Sequence, residues 1–249
     1  MESLHANGIE IHHDVRGEGP PLVLLHGFTG IGADWAHVFE LDALARTHRV
    51  IMPDARGHGR TTNPSGDFSF RQCARDLFAL LDHLGIDRFR AIGASLGAKT
   101  LLHVATEQPS RVVAMVVVSA TPYFPEQARA AMRAAATSVP TEEEWALMRA
   151  RHLQGDDQIR ALWKLPARFA ESRDDMAFTP PLLATITART LVVSGDRDPF
   201  YPVELALEIY RAIPHAALWV VPNEGHSPIY GTWRDTFVKM ALAFLMEDE

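Results

Sequence analysis

The chain of 249 residues contains a single cysteine, Cys73. No intrachain disulfide can form, a usage that fits a reducing compartment, and the expected location is cytoplasmic. No run of about eighteen apolar residues occurs, so no membrane-spanning helix is expected. The opening residues Met1-Glu2-Ser3-Leu4-His5-Ala6-Asn7-Gly8 lack the basic stretch and apolar core of a secretory leader, and none is expected. Positive charge is in deficit: 24 Lys and Arg stand against 31 Asp and Glu, a net charge of −7. That excludes a dominant nucleic-acid surface but not a small-molecule site. A His-Glu-x-x-His pattern and paired cysteines are missing, so no zinc site is expected. A P-loop and a Gly-x-Gly-x-x-Gly turn are missing too, so no cofactor is expected. Repeats and low-complexity stretches are likewise missing.

What is present is alternation. With 47% hydrophobic residues, the length suffices for one large domain with room for an inserted subdomain. Ile9, Ile11, His13 and Val15 alternate as in a strand, closed by Gly17-Glu18-Gly19-Pro20. Leu22-Val23-Leu24-Leu25 reads as a strand buried on both faces, and so do Arg49 to Pro53 and Val112 to Ser119. Helices are expected over Asp34 to Arg46, Phe70 to Leu84, Leu96 to Glu107 and Val203 to Ala212, and at the C-terminus around Trp233, Phe237, Met240 and Phe244. From about Tyr123 to Ile186 the strands lapse. That stretch is rich in Ala, Arg and Glu, opens a helix at the capping box Thr141-x-x-Glu144, and is punctuated by Pro140, Pro166, Pro180 and Pro181. Strands return at Thr190 to Ser194 and Ala217 to Val221. Strands alternating with helices imply a mostly parallel sheet covered on both faces, with sites beyond the carboxyl ends of its strands.

Those ends carry the chemistry-bearing residues. His26-Gly27-Phe28 follows one strand and Asp54-x-Arg56-Gly57-x-Gly59 the next. Gly93-x-Ser95-x-Gly97 joins a strand to a helix. Gly195-Asp196-Arg197-Asp198 and Gly225-His226 follow the last two. A strand that reverses sharply into a helix strains its turn residue and crowds the positions two before and two after it, which therefore must be small. Ser95 at that tip would lie at a helix N-terminus, which favours developing negative charge.

In this order the blocks resemble the α/β-hydrolase superfamily, in its small, capped, single-domain branch, over essentially the whole chain. The resemblance implies a core of residues 1–121 and 187–249, and a helical cap, 122–186, inserted after the sixth strand. It also implies a Ser95–His226–Asp198 triad. His226 would take the serine proton and Asp198 would orient the imidazole. The backbone N–H groups of Phe28 and Leu96 would form the oxyanion hole, and His26, Gly27, Gly93 and Gly97 would support it. Two departures are visible: Ala98 stands where many relatives have a second glycine, and Thr61 where a serine often closes its block. Asp196 competes with Asp198 as the acid; the fourth position of Gly-x-x-Asp favours Asp198.

The implied reaction is hydrolysis of a small carboxylic ester, lactone or thioester through an acyl-serine. Three alternatives remain open on the same residues. The first is carbon–carbon bond hydrolysis of the meta-cleavage-product type, whose members often carry a polar residue where Ala94 stands. The second is cofactor-free perhydrolysis or haloperoxidation. The third is a ligand-binding receptor with a slow triad. Serine in the elbow, in place of aspartate, argues against dehalogenase and epoxide hydrolase chemistry. Trp35, Trp145 and Trp163 are read as substrate-pocket residues. Lys99 is read as a helix-surface residue, Cys73 as an inert core thiol, and Asp54 with Arg56 as a structural turn. The cap arginines are interleaved with acids, so they read as a solvated mixed-charge face and not as a docking surface for an acidic carrier protein.

Overall fold

The computed structural model describes residues 2–247. Eight strands form one sheet in the order β1-β2-β4-β3-β5-β6-β7-β8. The strands are β1 (Glu2–Ala6), β2 (Ile9–Arg16), β3 (Pro21–Leu25), β4 (Arg49–Pro53), β5 (Phe89–Ala94), β6 (Val112–Val118), β7 (Arg189–Gly195) and β8 (Ala216–Val221). The β1–β2 and β2–β4 pairs are antiparallel; all others are parallel. The class is the α/β fold expected from the alternation.

Period-two alternation divides the apolar runs between two cores. Along β6, Met115 and Val117 face one core while Ala114, Val116 and Val118 face the other. The first core is closed by α2 (Phe70–His83), α3 (Leu96–Glu107) and α8 (Val203–Ala212), through Leu77, Leu101 and Leu205. The second is closed by α1 (Leu41–Leu44) and α9 (Arg234–Met246), through Leu41, Phe237 and Leu245. Buried on both faces, β5 and β6 hold the carboxyl ends of the sheet in register, so the loops that leave them start from fixed points.

The span 34–46 differs from the single helix expected. A 3₁₀ turn at Gly32–His37 is followed by the one-turn α1. Side-chain carboxylates take the N–H groups at its start: Ile31 donates to Asp34 and Gly32 to Asp54. That caps a tight turn, and the turn drives Trp35, Val38 and Phe39 together into the second core.

Between β6 and β7 lie α4 (Glu126–Thr137), α5 (Glu142–Arg151), α6 (Asp156–Glu171) and α7 (Pro180–Leu183). The Thr141/Glu144 capping box opens α5. Pro166 does not break its segment: α6 runs through it for 16 residues. The helix is held by an apolar stripe of Ile159, Leu162, Leu165 and Phe169, and burial of that stripe outweighs one lost backbone hydrogen bond. Among the described residues, no helix is long and apolar enough to cross a membrane.

Candidate active site

Ser95 is the single residue between β5 and α3, at φ 49° and ψ −98°. Such a conformation is strained for a residue with a Cβ and persists only where the surroundings enforce it. Here they do: Ser95 N–H donates to Val118 O (2.8 Å) and Gly97 N–H to His26 O (3.1 Å). A Cβ on Gly93 would stand 2.5 Å from the Gly97 carbonyl carbon, and one on Gly97 would stand 2.2 Å from Leu25 O. The crowding argued from the sequence is thus backbone against backbone, which side-chain repacking cannot relieve.

His226 and Asp198 arrive from the ends of β8 and β7. A carboxylate can only accept, so His226 Nδ1–H donates to Asp198 Oδ2 (2.7 Å). Nε2 is then an acceptor for the Ser95 hydroxyl, at 2.8 Å. The Asp198 side chain is buried, and its other oxygen accepts the N–H groups of Phe200 (2.8 Å) and Tyr201 (3.1 Å). The rings of Phe200 and Tyr201 pack edge-on against the His226 imidazole. Gly195 lets the acid and base loops meet, since a Cβ there would lie 2.3 Å from the carbonyl oxygens of Glu224 and Gly225. Asp196 points elsewhere, accepting from Glu224 N–H at the surface.

His26 ties the loop at the end of β3. Its Nε2 accepts from Ala55 N–H (3.0 Å), so Nδ1 carries the proton and donates to Gly27 O (2.7 Å). Burial lowers its pKa, which keeps this tautomer neutral. Phe28 and Leu96 lie beside Ser95 on the cavity wall, and among the described residues no backbone acceptor takes the N–H of either. At the neighbouring block, Arg56 makes a buried bidentate pair with Asp76 (2.8 and 2.9 Å), and Asp54 accepts from Gly32 and Arg60. Thr61, the serine replacement, donates to Asp54 O. These residues are a structural turn, as expected. Cys73 is buried, and burial pushes its thiol pKa far up.

Ser95 opens into a cavity of about 310 Å³, lined mainly by Phe70, Phe124, Met132, Phe169, Phe200 and Tyr201. None of the three tryptophans expected in the pocket is on its wall. Trp145 and Trp163 pack edge to face on one another, 4.3 Å between centroids, with Arg149 and Arg160 over Trp145. Two large rings on adjacent helices satisfy each other, and the inward positions of the insertion go to Met132 and Phe169. Trp35 packs in the second core and borders a separate cleft beyond Gly27, beside Asp34, Arg151 and Tyr230.

Lys99 corrects a second expectation. It is 3% exposed, and its Nζ lies 3.4 Å from Ser95 Oγ, within the same cavity. Burial lowers its pKa to about 7, against the opposing pull of the Asp198 charge. A signal was available. The spacing of four puts Lys99 on the face of Ser95, and in the structure every residue of α3 from Leu96 to Ala105 is buried, so the helix has no solvent face for a lysine. Phe200 and Tyr201 also went unread; they follow Asp198 directly, and only the chain's fold over it turns them onto His226.

A strained serine at a strand–helix turn, with an imidazole and a buried carboxylate in one row, defines a class. The family model of the alpha/beta hydrolase fold matches residues 20–144, and the chain belongs to that family of hydrolases. Among curated relatives, the chain is similar to 2-hydroxy-6-oxo-6-(2'-aminophenyl)hexa-2,4-dienoic acid hydrolase of Metapseudomonas resinovorans. The two are 24% identical over 263 residues, 97% of this chain and 89% of the relative. It is 27% identical over 232 residues to the sn-1-specific diacylglycerol lipase of Mus musculus, covering 83% of this chain and 75% of the relative. Among solved structures it is similar to an N-acyl homoserine lactone degrading enzyme, at 28% identity and a TM-score of 0.79, covering 98% of this chain and 100% of the other.

Proposed function

We propose that the protein is a serine hydrolase cleaving a carboxylic ester, lactone or thioester through an acyl-Ser95 intermediate. The observation that carries this reading is the unbroken row Ser95 Oγ–His226 Nε2 (2.8 Å) and His226 Nδ1–Asp198 Oδ2 (2.7 Å). His226 takes the hydroxyl proton as Ser95 Oγ attacks the carbonyl carbon, and the buried Asp198 carboxylate stabilises the imidazolium. The Phe28 and Leu96 N–H groups receive the oxyanion; losing one such donor costs about 3 kcal/mol of barrier. The imidazolium then protonates the leaving alcohol or thiol. Water, deprotonated by His226, attacks the acyl-enzyme and releases the acid. The insertion, 122–186, acts as the cap: Phe124, Met132, Pro166 and Phe169 all come from it and wall the cavity. The partner is a small-molecule substrate, and the single buried Cys73 supports a cytoplasmic setting.

The test is pre-steady-state release of p-nitrophenol from short- and medium-chain esters by the wild type and Ser95→Ala. A burst with sustained turnover is expected, reduced at least about a thousandfold in the variant. Unchanged activity in Ser95→Ala overturns the mechanism. A second reading, carbon–carbon bond hydrolysis, has the full-length similarity to the dienoic acid hydrolase in its favour. Turnover of a vinylogous diketone acid, with none of simple esters, would select it.

A further inference from the structure

Lys99 has too few partners for the charged form of its amine. An ammonium has three donors. Among the described residues its one hydrogen-bond acceptor is Ser95 Oγ, at a long 3.4 Å, and no carboxylate lies within ion-pair distance. Three rings surround it instead, with centroids at 4.9 Å (Tyr201), 5.6 Å (Phe70) and 6.0 Å (Phe124). Their faces compensate part of the lost hydration, but an unpaired buried charge remains costly until an anion reaches it. Among the described residues no aspartate or glutamate lines the cavity, and apart from Lys99 its wall is largely aromatic and aliphatic. A proton-acceptor role toward Ser95 is already filled, because His226 Nε2 lies closer, at 2.8 Å, and is held by Asp198.

We propose that Lys99 reads an anionic oxygen on the acyl half of the substrate, so that the enzyme acts on esters or thioesters whose acyl group carries a carboxylate close to the scissile carbonyl. The distance sets the range. The carbonyl carbon must come to Ser95 Oγ, and an oxygen bonded to Nζ stands about 3 Å from that nitrogen. With Nζ 3.4 Å from Oγ, the two groups are joined through a short spacer, as in a half-ester of a four- or five-carbon dicarboxylic acid. Binding such a group gives the ammonium its missing acceptor. It also places the rest of the acyl chain against the rings. The burial that draws the Lys99 pKa to about 7 in the free enzyme is the same feature that makes a carboxylate partner worth far more here than at a surface. The inference rests on the acyl-Ser95 reading above.

The experiment compares kcat/KM for monoethyl succinate with that for ethyl 4-oxopentanoate, its neutral isostere, in the wild type, Lys99→Met and Lys99→Arg. The wild type is expected to prefer the charged ester by about tenfold to a hundredfold, the range of a charge-assisted contact in a dry site. Lys99→Met is expected to abolish the preference, and Lys99→Arg to restore part of it. A wild-type ratio near or below one overturns the proposal. So does a Lys99→Met variant that slows both esters equally, since Lys99 would then be positioning Ser95. Calorimetric titration of Ser95→Ala with monoethyl succinate separates the two readings. Binding there, lost in Ser95→Ala/Lys99→Met, without turnover by the wild type would sink the esterase reading and keep the role of Lys99. Turnover of the neutral ester with no binding of the charged one would do the reverse.

Discussion

Two regions meet at Ser95 and are built differently. On the sheet side β5, β6 and α3 are buried almost throughout, and their fit is set by main chain against main chain, as at Gly93 and Gly97. On the insertion side α4 and α5 bury one or two residues each, and α6 a single stripe. Polar contacts supplement them. The buried Arg129 guanidinium takes the carbonyls of Phe124 and Ala170, and His152, just past α5, bridges to the core. The core can hold a strained nucleophile because main chain packs directly on main chain around it, at Gly93 and Gly97. On the other side the cavity wall is made of side chains, Met132 from α4 and Phe169 from α6.

The comparison can be broken hardest at the elbow. Gly97→Val would drive a Cβ into Leu25 O and Leu25 Cβ, 2.2 and 2.6 Å away. A loss of about 3 kcal/mol or more is expected, with fluorophosphonate labelling of Ser95 abolished. Urea unfolding near wild type, with labelling intact, would show that the elbow tolerates displacement.

A smaller effect is expected where the regions join. His152 Nδ1 accepts from Gly59 N–H (2.9 Å), and its Nε2–H donates to Thr29 O (3.2 Å). Burial lowers its pKa to about 4 from an ordinary 6.5, and the pKa values of His26 and His58 beside it are lowered by the same cause. The folded state therefore favours neutral imidazole. The contribution of His152 is full above pH 6.5, falls as the unfolded chain takes up its proton, and levels out below about pH 4. For His152 alone the loss across that window is about 3 kcal/mol. His152→Gln should flatten part of the slope in urea titrations; a flat wild-type profile would contradict the buried, neutral assignment.

The smallest effect is expected on the outer face of the insertion. Arg149 pairs with Asp156 in full view of solvent, and such pairs contribute little. Arg149→Ala should leave Tm unchanged. A fall of more than about 3 °C would mean that the insertion leans on its surface charges, and the contrast with the core would need redrawing.

Legibility followed the same division. The parallel sheet could be read from apolar runs such as Val112 to Ser119, because a strand buried on both faces leaves no polar positions. The loop blocks could be read because each sits at a strand's end. The helix expected over 34–46 was misjudged, since apolar spacing cannot distinguish a helix from a tight turn that aims Trp35, Val38 and Phe39 into one core. Trp145 and Trp163 were misplaced for a related reason: amphipathic spacing gives a face but not the neighbour that face will meet.

By itself the sequence determined the α/β class, the order of the serine, acid and histidine along the chain, and the small residues that the elbow demands. Each follows from local rules of period, turn geometry and steric size. Only the tertiary structure decided that Phe200 and Tyr201 clamp the imidazole, and that Lys99 is enclosed beside Ser95. These depend on contacts between segments far apart in the chain, and there burial sets both the distance between charged groups and the strength of their interaction.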